Sequence, residues 1–198
     1  MRPFVLALTL TALLDARAEA QRSHRTGFWL DLSSGPGAVR IGCGGCAEVT
    51  VAGGTTGDIR LGGTLSDKTL LGVEIFGFTD ERFGFAAHDT SITAENSSLN
   101  AVVLWYPWHG GVFLKGGVGL AGGRFTVKGD TGPGAVNEGN GVGLTFGLGF
   151  DLPISRRFAL SANAAAFITA IGDVRVQGVV VDDVIPTMYQ LGVGLVLR

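Results

Sequence analysis

Beyond residue 26 the chain runs in segments of alternating apolar and polar positions, and the breaks between them alternate in width. Wide Gly/polar gaps centre near Cys43–Cys46, Phe85, Gly132 and Gln177, whereas narrow ones fall at Ser66–Lys68, Pro107–Gly110 and Pro153–Arg157. Period-two alternation is the signature of a strand half covered on one face. Strands joined by wide and narrow gaps in turn predict an up-and-down antiparallel barrel, with tight turns at one rim and longer loops at the other.

The stripes can be followed one by one. Phe28, Leu30 and Leu32 oppose Trp29, Asp31 and Ser33, with breaks expected at Ser34–Gly37 and again at Gly53–Gly57. Ile59, Leu61 and Leu65 oppose Arg60 and Thr64; Leu71, Val73 and Ile75 oppose Gly72, Glu74 and Phe76. A half-polar, half-apolar segment covers Ile92–Trp105 and includes Asn100, and then Val112, Leu114, Val118 and Leu120 oppose Phe113 and Lys115. The cleanest stripe is Val142, Leu144, Phe146, Leu148, Phe150 and Leu152, set against Gly143, Thr145, Gly147, Gly149 and Asp151. Phe158, Leu160, Ala162, Ala164 and Ile168 oppose Ser161, Asn163 and Thr169, and Tyr189, Leu191, Val193, Leu195 and Leu197 oppose Gln190 and glycines. These make about eight strands, and an even number suits antiparallel closure.

Composition decides which face looks outward. The 198 residues are 46% hydrophobic but only 16% charged, with a mean hydropathy of +0.37, against about 25% charged in ordinary soluble domains. The face opposite the aliphatic stripe is Gly, Ala, Thr and Asn with scattered charges, too sparse for a soluble surface. The aliphatic face is therefore assigned to lipid, and the lumen receives the polar set Asp31, Arg60, Glu74, Lys115 and Asp151, with Asn100, Asn163 and Gln190. Aromatic residues gather near the narrow gaps: Phe28, Trp29, Trp105, Tyr106, Trp108, Phe150 and Phe158. That placement predicts an interfacial girdle. Outer-membrane lipid is the expected surrounding.

The N-terminus reads as an export signal: Arg2 is the positive region, Pro3–Leu14 the apolar core, and Ala18-Glu19-Ala20 the small-residue cleavage site. Residues 1–20 are expected to be removed before Gln21, leaving 21–198 as one barrel domain. Net charge is −2 with no basic cluster, which disfavours nucleic acid as a partner.

On these residues the chain resembles the small eight-stranded outer-membrane barrels of the OmpA/OmpX-like superfamily. The resemblance rests on the opening Gly27-Phe28-Trp29-Leu30, the Gly-rich strand Phe113–Gly123 and the final strand. It implies that Gln190, Gly192, Leu195 and Leu197 form the signal read by the barrel-assembly machinery during insertion. Arg198 departs from the aromatic residue that usually ends such chains. The resemblance conveys fold rather than activity.

Within an eight-stranded barrel, side chains nearly fill the interior, so the lumen set reads as a satisfied polar core in which Arg60 and Lys115 pair with Glu74, Asp31 or Asp151. A narrow proton or ion path is the alternative. Cys43 and Cys46, the only cysteines, read as a loop-tip disulfide in an exported chain; Cys-x-x-Cys redox or metal roles are the alternatives. His88, Asp89 and Ser91 are the nearest approach to a catalytic set, but adjacent loop side chains diverge and do not make a triad. No cofactor, metal or catalysis is expected. The reading is a structural or surface-interaction protein, a monomer displaying its loops to an extracellular partner. A narrow channel or apolar-ligand carrier is the rival, and a lipid-modifying enzyme a more distant one.

Overall fold

The computed structural model describes residues 27–42, 49–84, 91–108, 110–129, 132–176 and 179–198. At 49–52, 80–84, 91–94, 125–129, 132–138, 173–176 and 179–183 it describes the backbone alone. The described chain is strand almost throughout: β1 (Phe28–Gly42), β2 (Val49–Ser66), β3 (Thr69–Gly84), β4 (Ser91–Trp105), β5 (Val112–Gly129), β6 (Gly132–Pro153), β7 (Phe158–Ala170), β8 (Gly172–Val176) and β9 (Val179–Leu197). From β1 to β7 each strand pairs antiparallel with the next, and β9 pairs with both β7 and β1, closing the ring. β8 also pairs with β9. It carries the wall of β7 past a bend at Gly172, whose φ is +75°. Nine segments therefore build a closed eight-stranded antiparallel barrel, the expected architecture.

The narrow gaps are the tight connections. Asp67 and Lys68 turn β2 into β3, and Lys68 O accepts the Tyr106 amide at 2.7 Å, tying that turn to the end of β4. At Ile154–Arg157 the amides of Ile154 and Ser155 donate to Phe158 O, while the Phe158 amide donates to Ser155 Oγ at 3.1 Å.

The breaks expected at Ser34–Gly37 and Gly53–Gly57 are corrected: both stretches remain in the ladder. Gly37 pairs with Gly54 and Ala38 with Ala52, so Gly53 is the one extra residue of a β-bulge. Its φ of +109° lies where glycine alone is unstrained. Glycine there bends the wall without ending the strand.

Parity sorts the side chains. Every aliphatic stripe faces outward, from Leu32 and Ile59 around to Leu191 and Val193, and stays exposed. On β6 the stripe from Val142 to Leu152 covers about ten residue steps, or about 33 Å of strand and ~25 Å along the axis at a tilt near 40°. That is the height of a lipid-facing band.

Candidate functional site: the filled lumen

The interior is built in three layers. Toward the narrow-turn end Trp29, Leu70, Val102, Leu104, Tyr106 and Phe113 form an apolar cluster. Toward the wide-gap end Val39, Phe76, Phe78, Ala165, Phe167 and Met188 form a second, with Ile41 packed against it. Between them lies a buried ionic layer.

Arg60, fully buried on β2, is its centre. Its guanidinium lies 3.0 Å from Asp31 Oδ2 on β1, 2.8 Å from Asp58 Oδ1 on its own strand and 3.9 Å from Glu74 Oε1 on β3. Glu74 Oε1 also receives Lys115 Nζ at 2.5 Å, reaching from β5 past the intervening β4. Lys115 Nζ rests 4.7 Å from the centre of the Phe167 ring and the Arg60 guanidinium 5.8 Å from that of Phe113. Both cations thus tie the ionic layer to the apolar layers through ring faces. Asp58 is held from its other side by Ser33 Oγ and by Gln190 Nε2 at 2.7 Å, and Asn163 Nδ2 donates to Ser33 Oγ at 3.3 Å.

Asp151 belongs to a separate cluster at the narrow-turn end. It accepts a 2.7 Å bond from Tyr106 Oη and an ion pair from the Arg198 guanidinium. The Arg198 amide donates to Arg157 O, so the end of the chain is fixed at both backbone and side chain.

The structure thus brings Asp31, Arg60, Glu74 and Lys115 together and places Asp151 apart from them. Asn100, also buried, donates to Ser98 Oγ at 2.9 Å. Sequence reasoning missed Asp58 and Arg198, although parity held the signal. Asp58 is two positions from Arg60 and points the same way; Arg198 is two positions from inward-facing Val196.

The aromatic girdle needs correcting at two positions. Trp29 and Tyr106 are 2% and 1% exposed and face the lumen. Trp29 shares the parity of Asp31, and Tyr106 follows outward-facing Trp105, so neither can reach lipid. Phe28, Trp105, Trp108 and Phe158 do face outward. In the last strand Leu195 and Leu197 point outward while Gln190 and Gly192 point inward. A Cβ at Gly192 would stand 3.0 Å from Asn163 Oδ1, so glycine there makes room for that amide.

Cys43, Cys46, His88 and Asp89 lie outside the described residues, and of Ser91 only the backbone is described. Among the described residues no group of three or more His, Cys, Asp or Glu side chains could hold a metal ion.

A ring of eight antiparallel strands, apolar outside and filled inside, is the fold of the small outer-membrane barrels. The solved structures agree. Neisserial surface protein A matches with a TM-score of 0.55 at 16% identity, over 87% of this chain and 97% of that one. The attachment invasion locus protein Ail of Yersinia pestis matches with a TM-score of 0.59 at 15% identity, over 86% and 99%. No protein-family model and no curated protein sequence matches the chain.

Proposed function

We propose that this protein is a sealed outer-membrane barrel that acts through the surface it displays, in a structural or surface-interaction role. One observation carries the reading: among the described residues the lumen holds an apolar layer on each side of a paired ionic layer. A barrel whose interior is occupied by packed side chains has its outside and its loops left to act with. Two of the structural neighbours fit such a role by their names, a surface protein and an attachment protein, and Ail has also been crystallised with the heparin analogue sucrose octasulfate.

In this reading the tight turns face the periplasm and the wide-gap segments face outward, with Cys43 and Cys46 joined at the tip of the first. Residues 1–20 are removed on export. The barrel inserts as a monomer through the assembly machinery, which reads Gln190, Gly192, Leu195 and Leu197. An extracellular partner meets the loops, and no catalytic step is assigned.

Planar-bilayer recording of the purified barrel tests the central point. A quiet membrane is expected, and reproducible unitary openings would overturn the sealed-lumen reading in favour of a channel.

A further inference from the structure

The strands β6 and β7 stay paired from Pro153 and Ala159 at the narrow-turn end up to Val142 and Ala170. Beyond Ala170 the wall divides. The Ile171 amide donates to Val184 O on β9, and Gly172, at φ +75°, turns β8 aside to pair with β9. β6 meanwhile extends over residues 132–141 with β5 as its partner. Among the described residues no strand pairs with β6 on its other side along that stretch, nor with β8 on the side away from β9. Two free edges therefore bound a fork in the barrel wall.

The fork opens at Val142, where the lipid-facing band ends. Within lipid an unpaired strand edge would leave its N–H and C=O groups unsatisfied, and there β6 is paired on both sides. Beyond the band the edge meets water, and its row of unpaired backbone groups is a template for another strand. Pro133 has no N–H to offer, which blunts the tip of the edge. Residues 134–141 remain usable, about 26 Å of strand.

We propose that the β6 edge takes up an extended, basic segment of an extracellular protein as an added strand. The proposal deepens the surface-interaction reading and rests on its placing the wide-gap end outside the cell. Backbone pairing supplies the attachment. Charge selects the partner. In sequence, the arms of the fork at residues 132–141, 172–176 and 179–184 carry Glu138, Asp173, Asp182 and Asp183 against Arg175. A strand bearing lysine or arginine is attracted to that excess of acid, whereas a second copy of this chain brings the same excess and is repelled.

The test adds fluorescent octapeptides to the purified barrel in phosphatidylcholine nanodiscs and reads binding by anisotropy. An alternating lysine–valine peptide is expected to bind roughly tenfold more tightly than its glutamate–valine counterpart. N-methylation of the two central residues puts one methyl on each edge of the peptide, and should weaken lysine–valine binding roughly tenfold as well. Combining Glu138→Lys, Asp182→Lys and Asp183→Lys should reverse the order of the two unmethylated peptides, with heat-modifiable gel mobility reporting that the variant is folded. Equal binding of those two peptides, an unchanged order in the folded variant, or undiminished binding of the methylated peptide overturns the proposal. A barrel dimer that the lysine–valine peptide dissociates, seen by native mass spectrometry, would assign the edge to a second copy and overturn the basic partner. Orientation is read separately, by surface labelling of Ser66→Cys on intact cells in a Cys43→Ser, Cys46→Ser background. Labelling there would overturn the outward placement of the wide-gap end while leaving the peptide result standing.

Discussion

Phe76 and Phe167 stack across the lumen with ring centroids 3.7 Å apart and planes 17° from parallel. They come from β3 and β7, four places apart in a ring of eight, so the stack spans the full width of the barrel. Beneath it lies Lys115, whose ammonium contacts Phe167 while pairing with Glu74. Opposite walls of the barrel therefore touch directly toward the wide-gap end of the lumen.

Removing either ring should be costly and the two losses should not add. Phe167→Ala is expected to destabilise the barrel by about 3–5 kcal/mol. Phe76→Ala in that background should cost about 0.5 kcal/mol or more less than it does alone, because its stacking partner is already gone. Urea unfolding in lipid vesicles measures the cycle, and strict additivity would show that the stack contributes nothing of its own.

Arg60 neutralises carboxylates contributed by three strands. Arg60→Met should leave Asp31 and Asp58 without their cation and destabilise the barrel by about 3–5 kcal/mol. Arg60→Lys keeps the charge but loses the planar fork that reaches both carboxylates, so a smaller loss is expected. Unfolding midpoints of the two variants, compared with wild type, check the order.

The chain end is tied into the lumen by Arg198, and Asp151 receives it. Arg198→Ala should cost about 1–3 kcal/mol, the penalty for leaving a buried acceptor short of a partner. Asp151→Asn should make the Arg198 change nearly neutral. Arg198→Phe keeps a bulky side chain but not the pair, and is expected to be as destabilising as Arg198→Ala. An Arg198→Phe barrel as stable as wild type would show the ion pair to be dispensable.

The three tryptophans should separate by environment. In single-tryptophan variants, Trp105 and Trp108 are expected to be quenched strongly by brominated lipid or by aqueous acrylamide, according to depth. Trp29, 2% exposed inside the wall, should resist both. Strong lipid quenching of Trp29 would restore it to the girdle and contradict the inward rotamer.

The Cys43–Cys46 pairing, proposed for the first wide gap, has its own check. Thiol labelling of the unreduced protein should find no reactive cysteine, and reduction should release two. Labelling without reduction would refute the bond.

What the sequence determines by itself is local. Backbone pleating sends successive side chains to opposite faces, so alternation assigns Leu32 and Val193 outward and Arg60 and Lys115 inward without reference to anything distant. Gap widths give the strand count and the end at which the tight turns lie. Trp29 and Tyr106 obey the same parity, which outranks their closeness to a turn. Which inward side chains meet is decided by the tertiary structure, because closure and stagger of the ring set which heights face each other. Lys115 reaches Glu74 past a whole strand, Phe76 meets Phe167 across the diameter, and Arg198 reaches back to Asp151. No spacing along the chain encodes those three meetings; the closed ring creates them.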